Sequence, residues 1–194
     1  MTEPSTAPRL PPPGATAQLI LERRTINRFR PEPPPRELIR EAMDLARWAP
    51  NHHLTEPWHF YWLGPSTQAA VVDLNTELVA QSKGEAAAAI KRERWAAMPG
   101  WLVVSCERSD DPLRQQEDYA ACCCAVHNMA LYLWSAGVGM KWTTGAVIRE
   151  PAFYDLLWID PDLESVVGLF WYGYPDEAPV QQRKDLSSRL VELP

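Results

Sequence analysis

Four arginines fall within eight residues in the run Arg23-Arg24-Thr25-Ile26-Asn27-Arg28-Phe29-Arg30. Guanidinium groups present rigid forked donors that match phosphate oxygens two at a time, and the Thr25 hydroxyl adds a further polar group. A solvated charged face and a phosphate grip both account for such a run. A second cluster is Trp48-Ala49-Pro50-Asn51-His52-His53-Leu54-Thr55-Glu56-Pro57-Trp58, where two prolines bracket polar side chains and a tryptophan stands at either edge. It has no metal-ligand spacing of the H-E-x-x-H or C-x-x-C kind, so no metal is expected. It reads either as a rigid loop with core tryptophans or as a polar and aromatic ledge over a planar ligand.

The segment from Ala136 to Gly145 holds three glycines and ends in Thr143-Thr144-Gly145. A dinucleotide-binding loop needs a strand before its glycines and a helix after them, whereas here the order is reversed. Gly137 reads as a helix C-cap, and Thr143, Thr144 and Gly145 can offer hydroxyls and open backbone to a ligand. Cys123 and Cys124 lie four and three residues before His127, a spacing compatible with a thiolate and its base. Small cysteines also fill crowded helices.

Several elements must position these groups. Helical periodicity covers residues 15–23, and the prolines of 31–35 force extended chain. Residues 36–48 form an amphipathic helix through Leu38, Ile39, Ala42, Met43, Leu45 and Ala46. A strand is predicted over 59–63, then a helix capped by Ser66 and running to Gly84. Strands follow at 101–106, 140–143 and 165–172, with helices at 113–136 and 149–158. Residues 173–194 form a tail carrying Arg183 and Lys184. Between Tyr119 and Ala136 only His127, Asn128 and Ser135 are polar, so that helix should be buried. Its polar centre and its small Ala and Cys side chains speak against a membrane span. Helices outnumber strands without regular βα alternation, which predicts an α+β fold.

Composition narrows the function. The 194 residues carry 19 Lys+Arg against 25 Asp+Glu, a net charge of −6. That balance argues against a nucleic-acid binder, because phosphate-backbone affinity comes from clustered cations. The chain is long enough to bury a core without disulfides. Residues 1–14 carry five prolines and no apolar signal segment. They read as a loosely docked arm before a single domain over 15–194, and a cytoplasmic location with reduced thiols is expected.

Arg23-Arg24-Thr25, the loop from Ala49 to Trp58, Gly137 through Gly145, and Gly173-Tyr174-Pro175 followed by Arg183-Lys184 together resemble the flavin-dependent nitroreductase family, in particular its short bacterial NAD(P)H nitroreductases. The resemblance implies an intertwined α+β homodimer with a mostly antiparallel sheet packed between helices and FMN at the subunit interface. Transferred by position, Arg23, Arg24, Thr25, Arg183 and Lys184 hold the FMN phosphate and ribityl chain. Thr143, Thr144 and Gly145 lie beside the ring, and Trp48 and His52 reach it from the partner. Ser135, Ala136, Gly137, Val138, Gly139 and Met140 correspond to a stretch linked to the nicotinamide nucleotide.

Two departures stand out. Asn27 occupies the place where many members carry a basic residue near the flavin N1 and O2, with Arg28 next to it, and Glu56 replaces a common Gln. No protein nucleophile is required, since the cofactor carries the redox chemistry. The expected activity is hydride transfer from NADH or NADPH to FMN and then, by a ping-pong scheme, to a small electrophile such as a nitroaromatic or quinone. Alternatives on the same scaffold are a flavin reductase, a reductive dehalogenase or a flavin-cleaving enzyme. These differ in their lids, and the sequence shows no long lid insertion. A flavin- or tetrapyrrole-binding module without turnover is a further alternative.

Overall fold

The computed structural model describes residues 13–194. The arm expected over residues 1–14 therefore lies outside the described residues except for its last two, which open helix α1 (Pro13–Glu22). Four strands form one sheet: β1 (Trp58–Trp62), β2 (Gly100–Glu107), β3 (Gly139–Thr143) and β4 (Glu164–Gly173). Their order is β1-β2-β4-β3, and every neighbouring pair is antiparallel. Helices α2 (Arg36–Ala46) and α5 (Pro112–Ser135) cover one face. Helices α3 (Pro65–Lys83), α4 (Glu85–Ala96) and α6 (Pro151–Leu157) cover the other. This is the α+β arrangement expected, a sheet packed between helices.

Strand alternation builds the two cores. Leu102, Val104 and Cys106 of β2 meet Ile39 and Ala42 of α2 and Cys122, Val126 and Met129 of α5. Trp101 and Val103 face Val71, Trp95 and Phe153 on the opposite side. Buried on both faces, β2 and β4 read as nearly continuous apolar runs. Each large side chain so buried contributes roughly 1.5–3 kcal/mol. A bulge between Val104 and Ser105 shifts the register against β4, so that Val167 and Leu169 join opposite cores. Trp95, Trp101 and Trp171 meet edge to face with centroids 5.0 to 5.7 Å apart, a favourable arrangement of ring quadrupoles.

Three local expectations are corrected. Ser66 does not cap α3; the helix starts at Pro65 with Gly64 at the N-cap and no side-chain cap bond. The chain does not leave helical structure after Gly84. That glycine adopts φ 84°, where a side chain is strained, and the chain turns straight into α4, a helix absent from the periodicity reading. The helix placed at 149–158 splits into a 3-10 turn at Ala146–Arg149 and α6, because Pro151 takes the first helical position.

Helix α5 is also not buried all round. Asp111 caps it, accepting the Leu113 N–H at 2.9 Å, and one face packs into the core through Ala121, Cys122, Ala125, Val126, Met129 and Leu133. Tyr119, Ala120, Cys124 and His127 remain exposed in the single chain. No helix among the described residues is long and apolar enough to cross a membrane.

Candidate cofactor site

The basic segment lies beside β3, and two glycines put it there. At the end of α5, Gly137 has φ 77°, its N–H bonds the Trp134 carbonyl at 3.0 Å, and the Val138 N–H bonds the Leu133 carbonyl at 2.8 Å. This paired closure is a Schellman motif, and the buried Val138 and Leu133 complete it. The chain then enters β3 at Gly139, where a Cβ would collide with the Ile26 side chain. Because Gly139 has none, Ile26 is fully buried and its N–H reaches the Met140 carbonyl at 3.2 Å. Thr25 forms a parallel bridge with Met140. Gly137, Val138, Gly139 and Met140 thus have packing tasks, and the Ser135 hydroxyl donates to the Tyr132 carbonyl at 2.7 Å.

The tail returns along the same segment. Arg30 N–H bonds the Tyr174 carbonyl at 2.9 Å, and Asp176 N–H bonds the Arg28 carbonyl at 3.1 Å. Arg24 Nε donates to the Pro179 carbonyl at 3.1 Å. These links bring Arg183 back to Arg23, and the two line a cavity of about 400 Å³ with Ile20, Leu21, Arg24 and Gln181. Burial holds the Arg23 pKa below the ordinary arginine range, and repulsion from Arg183 and Arg24 adds to the effect. Among the described residues no carboxylate lines this cavity. Such a cluster is stabilised by an anion. Lys184 is exposed and is not among its lining residues.

A second cavity, about 590 Å³, opens between β3 and the α3–α4 hairpin. Lys141, Thr143, Gly145 and Trp171 line one side; Asn75, Lys91 and Arg94 line the other. Thr144 is exposed, and its carbonyl accepts from Arg149 Nη1 at 3.1 Å. Lys141 Nζ donates to Asn27 Oδ1 at 2.7 Å. Burial first, then repulsion from Arg94 and Lys91, lowers the Lys141 pKa. Asn75 is 7% exposed, and its Nδ2 has no hydrogen-bond partner among the described residues, an arrangement that costs free energy unless an acceptor is supplied. Arg28 is taken up elsewhere, 3.2 Å from Asp176 and 3.7 Å from Glu177.

The loop after α2 forms a separate, braced surface. His53, Leu54 and Glu56 have φ values of 60°, 51° and 47°, and a left-handed backbone costs roughly 1–2 kcal/mol at each non-glycine residue. Asn51 offsets this: its Oδ1 accepts the Glu56 N–H at 2.6 Å and its Nδ2 donates to Thr55 Oγ1 at 3.0 Å. Thr55 Oγ1 in turn donates to the buried Asp118 at 2.5 Å. Glu56 stands 3.9 Å from Arg47. The loop presents His52 and His53, ring centroids 3.9 Å apart, beside a Trp48 that is 80% exposed. None of these side chains lines the cavities holding Arg23 and Thr143 in the same chain.

The fold therefore joins Arg23, Arg24 and Arg183 in one cavity, sets Thr143 and Gly145 in another, and puts Thr25 in a third. A small cavity of about 170 Å³ holds Arg23 and Thr25 together with His127, Met140 and Trp142. Asn75, Lys91, Arg94 and Lys141 escaped the sequence reading. The signal for Lys141 is present, since it lies two residues before Thr143 and period-two alternation puts both on one face. Lys91 and Arg94 lie on the unpredicted α4.

The sequence profile of the nitroreductase family matches residues 20–174. YfhC of Bacillus subtilis, named as an NAD(P)H nitroreductase, is 29% identical over 181 residues, covering 90% of this chain and 92% of that protein. The crystal structure of a nitroreductase-like family protein from Bacillus cereus superposes with a TM-score of 0.81 at 28% identity, covering 91% of this chain and 95% of that one. A nitroreductase from Desulfovibrio desulfuricans, solved in complex with FMN, gives a TM-score of 0.74 at 22% identity over 95% of this chain and 99% of its own.

Proposed function

The chain belongs to the nitroreductase family, and we propose that it is an FMN-dependent oxidoreductase that takes a hydride from NADH or NADPH and reduces a small electrophile such as a nitroaromatic or quinone. The observation that carries this is the cavity where Arg23, Arg24 and Arg183 converge with no carboxylate among the described residues lining it. It suits a terminal phosphate dianion, which forked guanidinium donors grip in charge-assisted pairs. The Asn75 amide without a partner offers the ring pocket a donor that a ring carbonyl can satisfy. FMN in the Desulfovibrio relative and the NAD(P)H in the YfhC name support the same choice.

FMN would supply the two-electron chemistry: NAD(P)H would give up a hydride and become NAD(P)⁺, and that hydride with one solvent proton would account for a quinone becoming a hydroquinone, or a nitro group becoming a nitroso group and water. The protein's own residues bind and orient. Arg23 and Arg183 fix the phosphate, Arg24 ties the tail that carries Arg183, Thr25 faces the ribityl chain, and Thr143, Thr144 and Gly145 border the ring. Gly137 to Met140 close α5 and hold Thr25 against β3, and the stretch Ser135, Ala136, Gly137, Val138, Gly139 and Met140 is the candidate contact for the nicotinamide nucleotide. Donor and acceptor occupy one pocket in turn, so initial-rate lines are parallel.

Residues 15–194 act as one cofactor-binding domain in a homodimer. The open face of α5 at Tyr119, Ala120 and Cys124 supports this, as do Trp48 and the exposed tail residues Val180, Val191 and Leu193. Trp48 and His52, remote from the cavities of their own chain, complete the site of the partner. Titration of apoprotein with FMN, FAD and riboflavin tests the assignment. Tight binding of FMN, with weaker FAD and much weaker riboflavin, is expected. Equal affinity for riboflavin removes the phosphate grip.

A further inference from the structure

Resting on the FMN reading above, we propose that Lys141, held by Asn27, supplies the positive charge facing the electron-rich edge of the ring and thereby sets its reduction potential. Lys141 shares a face of β3 with Thr143, and both line the cavity between β3 and the α3–α4 hairpin. Its Nζ is anchored by a neutral acceptor, Asn27 Oδ1 at 2.7 Å. An ammonium has three N–H donors, so two remain for a ligand. The group also stands 5.4 Å from the centre of the Trp171 ring, which fixes its height over the sheet.

No carboxylate lies within ion-pair distance of Lys141 among the described residues. Arg94 and Lys91 repel it from across the cavity; Lys83 and Glu150 line the same space. A half-buried ammonium that faces Arg94 and Lys91 and is held by a neutral amide is a poor structural element and a good counter-charge for an anion. Asn27 is the residue type this needs, because an arginine or lysine at position 27 would set a like charge against Nζ. Arg28 cannot take the role while Asp176 and Glu177 hold it. Charge near the ring nitrogens tunes flavin electronics. Hydride transfer adds two electrons and one proton to a neutral ring, which leaves one negative charge for Lys141 to offset.

The test compares the FMN-loaded wild type with Lys141→Gln, Lys141→Arg and Asn27→Leu. It reads the two-electron potential by dye equilibration, the FMN dissociation constant, and the spectrum of the reduced ring across pH. In Lys141→Gln the affinity for reduced relative to oxidised FMN falls about ten-fold, a potential about 30 mV more negative. Lys141→Arg restores most of it. Asn27→Leu, which keeps the charge but loosens its aim, gives a smaller shift of the same sign. A merely structural lysine would change stability without moving the potential. If Lys141→Gln binds FMN at the wild-type potential, the proposal is overturned and the FMN assignment stands. If wild-type protein binds no FMN, the assignment itself fails and the proposal with it. Should Lys141→Gln not fold, an unchanged potential in Asn27→Leu overturns the proposal.

Discussion

Arg24 and Pro179, 155 positions apart, are joined by a hydrogen bond of 3.1 Å from the guanidinium Nε to the carbonyl. Arg24 Nη1 also donates to the Arg23 carbonyl at 3.0 Å. The second arginine of the pair thus lines the cavity with Arg23 and Arg183 and also ties backbone through its guanidinium. On the proposed reading, both face the phosphate, and Arg24 in addition braces the tail that carries Arg183.

Arg23→Ala and Arg183→Ala should each remove a charge-assisted contact of about 1.5–3 kcal/mol, equivalent to one to two decades of FMN affinity. Arg24→Ala should also loosen the tail, seen as faster proteolysis near Pro179 together with a smaller loss of FMN. Titration of each apoprotein variant checks this. Unchanged affinity in Arg23→Ala would take that residue out of the site.

Gly139→Ala places a methyl group against Ile26. The cost of such overpacking is about 1–3 kcal/mol, and it falls on the segment that carries Thr25. A lower denaturant midpoint with weakened FMN binding is expected. A variant as stable as the wild type would mean that the N-terminal segment does not sit against β3.

Tyr61 gives a pH signature. Its hydroxyl donates to both Glu164 oxygens at 2.9 Å, and Glu164 also accepts from the Ser105 hydroxyl. Burial, then the hydrogen bond to and the charge of Glu164, push the phenol up to about 12. The folded chain thus favours the neutral phenol. Its contribution to stability is complete below pH 10, the unfolded value, and is lost as pH rises from 10 towards 12. The stability difference between wild type and Tyr61→Phe should be constant up to about pH 10 and shrink towards about pH 12, the folded value. A difference that stays constant from about pH 10 to about pH 12 would exclude the linkage.

Sedimentation at micromolar concentration should give about twice the 22.0 kDa chain mass. Cys124→Arg, on the uncovered face of α5, should shift the protein towards monomer and release FMN in parallel. A monomeric wild type that retains FMN would contradict a site completed by Trp48 and His52 of the partner.

Much of this arrangement is legible in the chain. Gly137 announces the end of α5 because only glycine settles there without strain, and the doubly buried β2 and β4 stand out as apolar runs. Helix α4 was hidden because Gly84 terminates one helix and admits the next without a loop. The Ser66 cap misled because Pro65 already starts the helix. The arginines of 23–30 are visible as a run, but which of them meet Arg183 depends on the path of the tail, which local sequence does not place. Asn27 looked like a missing charge. In the fold it is the acceptor that holds Lys141, a pairing across 114 positions that no periodicity reveals.

The most direct test of the central claim is the visible absorption spectrum of the purified protein before and after one equivalent of NADPH or NADH is added without oxygen. A flavin spectrum that bleaches within the catalytic timescale, returns when a quinone is added, and yields FMN as the released cofactor is the predicted result. A colourless protein that binds no FMN on reconstitution, or a bound flavin that neither nucleotide bleaches, would contradict it.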